Sequence, residues 1–247
     1  MSDKVVMEVK RVPTGIAGLD DLINGGFPEK TINLVSGPAG SGKSLLALQF
    51  IYNGAKMGEP GIYMTLEENR DNVERALKNY NMDISELEEK GLFYLMDMSE
   101  IRRKCPEEDL EAGIAGFEAL QNLLNNLLDY TGAKRLALDS LTAVGLYYGD
   151  NPGVLRRELF RFASFLKEKE VTALLVTESL EDGGLTRYGI EQFVADSFIV
   201  LGLEDVKGEL RRTITVRKMR FTKHDTAKHP LLIGPTGITI SAESKVF

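Results

Sequence analysis

The run Ser36-Gly37-Pro38-Ala39-Gly40-Ser41-Gly42-Lys43-Ser44 has the residue types and the spacing to hold a chain of phosphates. It fits G-x-x-x-x-G-K-[ST], the phosphate-binding loop of nucleoside triphosphatases. Gly37, Gly40 and Gly42 carry no Cβ, so the backbone is expected to take positive φ and curl until several N–H groups face one anion. Lys43 brings a point charge to the β- and γ-phosphates, and the Ser44 hydroxyl is placed to ligate Mg²⁺. The nucleotide-binding set is therefore Gly37, Pro38, Ala39, Gly40, Ser41, Gly42, Lys43, Ser44 and Leu45, with ATP or ADP as the ligand. A glycine-rich turn that only imitates a cradle is the plain alternative. The flanks argue against it, because Thr31–Val35 reads as a strand and Leu45–Ile51 as a buried helix whose positive dipole end faces the phosphates.

Three carboxylates complete the chemistry. Asp139 ends the apolar run Leu136-Ala137-Leu138, the place of a second magnesium-associated group in phosphate-loop enzymes. Alone it would read equally well as a cap after a strand. Ser140 follows it, so no glutamate stands beside it. The adjacent acids are instead Glu67 and Glu68, after Tyr63-Met64-Thr65-Leu66. One of them is expected to hold the attacking water and take its proton as the γ-phosphate departs. Both would also suit the first turn of the next helix. The catalytic set is thus Lys43, Glu67 and Glu68, and the metal set Ser44 and Asp139.

These groups need a scaffold, and the hydrophobic periods supply one. Gly61–Leu66 and Leu92–Met96 read as strands, and Val73, Ala76, Leu77 and Tyr80 mark one helix face between them. Leu110, Ile114, Phe117, Leu124 and Leu128 line a long helix from about residue 107 to 129, and Leu155, Leu159, Phe162 and Leu166 stripe the next. Val171–Val176 is continuous and β-rich, as a buried parallel strand is. Residues 5–30 form a turn-rich lead-in around a short helix at Ile16–Leu22. After residue 196 the period changes. Ser197–Leu203, Arg211–Lys218, Leu231–Ile233 and Ile238–Ile240 read as antiparallel strands. The expected fold is α/β, with a mainly parallel twisted sheet flanked by helices. It is read as a single domain over residues 1–247, with 1–12 as lead-in and 197–247 as an antiparallel C-terminal part. Ligands of such sheets sit at the carboxyl ends of the strands, where the charged candidates fall.

Bulk properties narrow the partners. The chain has 247 residues, 43% hydrophobic and 27% charged, and 30 basic against 37 acidic residues give a net charge of −7. That balance argues against a broadly basic face for nucleic acid or membrane. The single cysteine, Cys105, excludes an internal disulfide and fits a reducing cytoplasm. Its neighbours Arg102, Arg103 and Lys104 would favour a thiolate, although an incidental thiol is the plainer reading. No apolar run is long enough to span a bilayer, and the opening residues form no signal peptide.

Further motifs resemble one family. Pro13-Thr14-Gly15-Ile16, Gly18-Leu19-Asp20 and Gly25-Gly26-Phe27-Pro28 precede the loop. Glu67-Glu68, Thr186-Arg187-Tyr188-Gly189-Ile190-Glu191, and Lys218-Met219-Arg220 with His224 follow it. Together they are similar to KaiC-type members of the RecA superfamily, over roughly Val12 to Ile240. The resemblance implies a RecA-like P-loop NTPase core, ATP with Mg²⁺ bound between subunits, and a homo-oligomeric ring of six. It also implies that Glu67 and Glu68 activate water and that Lys218, Arg220 and His224 reach the neighbouring chain's nucleotide. The circadian-clock KaiC carries two such domains in tandem, so neither a clock role nor its autokinase activity is implied. Recombinases of the RadA type carry an added N-terminal domain and linker, for which the residues before Pro13 leave no room.

Two functions follow from this reading. One is a slow Mg²⁺-dependent ATPase ring, switched by nucleotide and serving protein partners. The alternative is a RecA/RadA-like protein that grips DNA in recombination or repair. The candidate channel loops, Tyr147–Gly153 and Glu181–Arg187, offer Asp150, Glu181 and Asp182 against one Arg187, a poor lining for phosphates. Tyr147 and Tyr148 could stack on bases, but ordinary packing is favoured. Arg211, Arg212, Arg217, Lys218 and Arg220 form one basic cluster. Strand alternation puts Arg212 and Lys218 on one face and Arg211 and Arg217 on the other, so it is not one patch.

Overall fold

The computed structural model describes residues 9–98, 116–149, 151–180 and 183–246. Nine strands form one sheet: β3 (Ile32–Gly37), β4 (Gly61–Thr65), β5 (Phe93–Asp97), β6 (Arg135–Asp139), β7 (Thr172–Glu178), β8 (Ser197–Val206), β9 (Glu209–Met219), β10 (Lys228–Gly234) and β11 (Gly237–Ile240). Their order is β11-β10-β9-β8-β3-β7-β6-β4-β5. A small second sheet pairs β1 (Arg11–Val12) with β2 (Phe27–Pro28). The central strands are apolar on both faces because helices cover both faces. Val35, Ala137, Leu174 and Val176 point into one core layer, with α2 (Lys43–Lys56) and α3 (Arg70–Asn79). Leu34, Leu136, Leu138 and Leu175 point into the other, with α5 (Phe117–Thr131) and α7 (Pro152–Glu168). Between them in the chain lie α4 (Ser85–Glu89) and α6 (Leu141–Gly145), and α8 (Glu191–Val194) precedes β8.

Local chemistry sets the helix starts. Asn69 caps α3 by accepting from the Asn72 N–H, and Asn151 caps α7 by accepting from the Val154 N–H, with Pro152 in its first turn. The lead-in is a clamp. Asp20 accepts from the Thr14 and Gly15 N–H groups and from the Thr14 hydroxyl, which fixes α1 (Leu19–Leu22) shorter than the expected Ile16–Leu22. Gly18, at φ 79, lets the Ile240 carbonyl come within 2.0 Å of where a Cβ would stand, so β11 docks on the lead-in. The long helix expected over 107–129 is described only from Phe117, so Leu110 and Ile114 lie outside the described residues. Cys105 lies outside them too.

Two expectations about the C-terminal part change. Antiparallel pairing is expected of residues 197–203, and β8 does run antiparallel to β9 on one side, but on the other it runs parallel to β3, Asn33 facing Ser197. The continuous apolar run Phe198–Leu201, almost wholly buried, is the signature of a strand covered on both faces. The facing of the basic cluster is also corrected. The register passes from Phe198↔Lys218 to Ile199↔Val216, which leaves Arg217 as an inserted residue. Alternation therefore flips. Ile214, Val216 and Met219 all enter the same core layer, so Lys218 lies on the face opposite Arg212.

Candidate nucleotide-binding site

Parallel register brings the candidate residues to one rim. Gly37 at the end of β3 faces Glu178 at the end of β7, and Thr65 at the end of β4 faces Asp139 at the end of β6. Between β3 and α2 the loop curls at Gly40 (φ 77) and Gly42 (φ 104), values glycine accepts without strain. Gly37 is different: it stays outside that region, and its reason is space. A Cβ there would stand 2.7 Å from both the Leu201 carbonyl and the Ser41 hydroxyl. Ser41 Oγ donates to the Pro38 carbonyl at 2.8 Å, and Lys43 Nζ donates to the same oxygen at 2.9 Å. Ala39 and Ser44 are exposed and Pro38 is half-buried, whereas the Leu45 side chain is buried, so Leu45 offers the loop only its main chain.

Electrostatics make this rim a poor resting place for its own charges. Burial pushes the Lys43 ammonium down, against Glu178, Asp139 and Glu67, which pull it up. Burial likewise pushes the Asp139 carboxyl up, against hydrogen bonds from Ser44 and from Tyr63 Oη, the latter at 2.8 Å. A hydroxyl and a carboxylate in contact are the donor set for a hard cation that completes its shell with phosphate oxygens and water. Among the described residues no group of three or more His, Cys, Asp or Glu could hold a metal by itself. Ser44 and Asp139 thus fit Mg²⁺ bound with a nucleotide rather than in a cage of protein ligands.

The glutamate pair divides. Ser140 Oγ donates to Glu67 Oε1 at 2.6 Å, which holds that carboxylate over the rim beside Asp139. Glu68 turns away: its main chain exchanges hydrogen bonds with Thr65 Oγ1, and its carboxylate accepts from Asn72 Nδ2 at 2.9 Å on α3. Three residues here were not among the sequence candidates for the site. Ser140 was legible only as the absence of a glutamate, and Glu178 sits on a strand end that the period alone did not mark as charged. Arg212, read as part of a basic cluster, donates from Nε to the Gly40 carbonyl at 2.9 Å.

Lys218, Arg220 and His224 are elsewhere. Lys218 lies six positions beyond Arg212 along β9, about 20 Å at strand rise. Lys218 Nζ donates to the carbonyls of Ala195 (2.6 Å) and Gln192 (3.2 Å), and Arg220 lies 3.5 Å from Asp196. His224 Nδ1 meets the Thr222 carbonyl at 3.3 Å, while its buried Nε2 has no partner. Lys218 and Arg220 thus gather at the amino end of β8, at the far end of β9 from the Arg212–Gly40 contact. Of the loop residues, Tyr148 packs, stacking on Phe117 at 5.8 Å and accepting from its N–H, whereas Tyr147 is exposed. Asp150, Glu181 and Asp182 lie outside the described residues.

Sheet order, loop and helix together define a phosphate-loop α/β protein of the RecA type. The chain belongs to the KaiC ATPase family, whose profile matches residues 12–245. The circadian clock oscillator protein KaiC of Parasynechococcus marenigrum (strain WH8102) is 36% identical over 242 residues, covering 97% of this chain and 46% of that protein. The KaiC of Parathermosynechococcus lividus is 38% identical over 239 residues, covering 94% of this chain and 43% of that protein. The chain thus spans about half the length of the curated relatives it matches. The crystal structure of a KaiC-like protein from the hyperthermophilic archaeon Pyrococcus horikoshii OT3 matches with a TM-score of 0.81 at 36% identity, covering 94% of this chain and 99% of that one. The recombinase alternative is not favoured by these matches. No helix among the described residues is long and apolar enough to cross a membrane.

Proposed function

We propose that the chain is an Mg²⁺-dependent ATPase that turns over slowly as a cytoplasmic homohexameric ring, with its nucleotide state read by protein partners. One observation carries the reading: Lys43, Ser44, Asp139 and the Ser140-held Glu67 converge on a single strand rim around the phosphate loop. Loop N–H groups and Lys43 bind the β- and γ-phosphates. Ser44 and Asp139 hold Mg²⁺, which when bound neutralises charge on those phosphates. Glu67 orients the attacking water and takes its proton, with Glu68 bracing the turn through Thr65 and Asn72.

Lys218 and Arg220 are held by the Gln192–Asp196 turn and not by their own phosphate loop, which supports the reading that they, with His224, serve the adjacent chain's nucleotide. Stabilising charge on the departing phosphoryl group from across an interface is worth 10³-fold or more in rate in other phosphate-loop enzymes. The test is ATP hydrolysis by the purified protein, with and without single-stranded DNA, alongside its mass in solution. Mg²⁺-dependent turnover, indifferent to DNA, in a particle of six chains is expected. Turnover that rises with DNA would shift the assignment to the recombinase reading, and a monomer with full turnover would remove the ring.

A further inference from the structure

The turn from Gln192 to Asp196 holds both strand-end cations at once. Lys218 reaches two of its carbonyls, and Arg220 reaches its last side chain. That side chain is almost fully enclosed, at 5% exposure. Asp196 Oδ2 accepts from the Ile32 N–H at 3.1 Å. Its Oδ1 meets Lys167 Nζ at 3.0 Å and Arg220 Nη1 at 3.5 Å. The main chain ties the same points, Asp196 N–H to the Ile32 carbonyl and Arg220 N–H to the Asp196 carbonyl. The turn therefore does not need a charge to be formed, and an amide oxygen would serve Ile32 as well. What only a carboxylate supplies is balance for three cations crowded at one point. Burial, then Arg220 and Lys167, push the Lys218 ammonium down, and Asp196 is the group pulling it up.

We propose that Asp196 is a positioning residue that aims the Lys218–Arg220 pair at the neighbouring chain's nucleotide. This rests on the shared-site reading above. Asp196 takes one edge of the Arg220 guanidinium and leaves its remaining N–H groups facing outward, where Arg220 is half exposed. Without the charge, Arg220 and Lys218 repel and leave the turn, and a displacement of about 1 Å at such a group costs roughly 10²-fold in rate.

The experiment uses Asp196→Asn in the assembled protein. Turnover should fall by about 10²-fold, with the KM for ATP and the particle mass unchanged. Co-assembly supplies the readout that a merely structural role would not give. Asp196→Asn protein should regain activity when mixed with Glu67→Gln/Glu68→Gln protein, and none when mixed with Arg220→Ala protein, because the Asp196 and Arg220 lesions fall on the same side of the interface. Wild-type turnover in an assembled Asp196→Asn protein, or recovery with Arg220→Ala, overturns the proposal. Should Asp196→Asn not assemble, Lys167→Met removes the competing cation instead. It should keep turnover within about twofold, since Asp196 then serves only the Lys218–Arg220 pair; a loss of 10²-fold overturns the proposal. Normal turnover in Arg220→Ala itself would instead defeat the shared site on which the proposal stands.

Discussion

Ser140 Oγ donates a 2.6 Å hydrogen bond to Glu67 Oε1, linking the residue after Asp139 on β6 to the first acid after β4. Glu68, next in sequence, has no share in that link and is held by Asn72. The two glutamates should therefore differ in effect. Glu67→Gln is expected to lower turnover by about 10²-fold or more, as loss of a general base does, and Glu68→Gln by about tenfold or less. Ser140→Ala should fall between them with ATP affinity unchanged. Steady-state hydrolysis of the three variants decides it, and equal losses at Glu67 and Glu68 would contradict the division.

Lys43 is the cation that the phosphate loop itself carries. A charge-assisted contact of its kind is worth about 1.5–3 kcal/mol, so Lys43→Ala should weaken ATP binding by about tenfold or more with the fold intact. Titration with a fluorescent ATP analogue reads this. Unchanged affinity in a folded variant would remove the loop assignment.

Much of this was legible in the sequence, and the reasons differ from residue to residue. The loop is a run of fixed local chemistry, so Gly40, Gly42, Lys43 and Ser44 could be placed from spacing alone. Strands β3 to β7 announced themselves as apolar runs, and their ends put Asp139 on the rim. What the period could not show was pairing. Whether β8 lies beside β3 or only beside β9 is a long-range choice, and its buried Phe198–Leu201 run was the signal available. The insertion at Arg217 is invisible to alternation, which assumes an unbroken ladder. The bond from Ser140 to Glu67 spans 73 positions and depends on β4 and β6 being neighbours.

Asp139 bears a burial cost that its cation would relieve. Asp139→Asn keeps an acceptor for Tyr63 but removes the charge that burial opposes. The nucleotide-free variant should melt at the wild-type temperature or above it, while ATP binding loses its dependence on Mg²⁺. Thermal unfolding without nucleotide and ATP titration with and without Mg²⁺ test the two halves. A lower melting temperature would show that the charge stabilises the empty site.

The scaffold makes a sharper stability prediction at Gly54 on α2. Arg135 is fully buried beneath it, with Nε 2.8 Å from Glu59 Oε2 and Nη1 donating to the Phe50 carbonyl at 3.1 Å. A Cβ on Gly54 would stand 2.4 Å from Arg135 Cδ and Nε. Gly54→Ala should cost about 1–3 kcal/mol through overpacking. Gly153→Ala, in the first turn of α7, meets only Asn151 Oδ1 at 3.8 Å, so it should be neutral or stabilise by about 0.4–1 kcal/mol. Urea unfolding of the pair checks the contrast, and equal effects would contradict the packing described.

The proposed ring assembles each active site from two chains, with Lys218 about 20 Å along β9 from Arg212, which touches the phosphate loop. Mixing measures it directly. Arg220→Ala protein and Glu67→Gln/Glu68→Gln protein should each be inactive alone, and should regain part of the wild-type hydrolysis when dissociated and assembled together, because some interfaces then join an intact carboxylate to an intact arginine. No regained activity in particles shown to contain both chains would contradict the shared site.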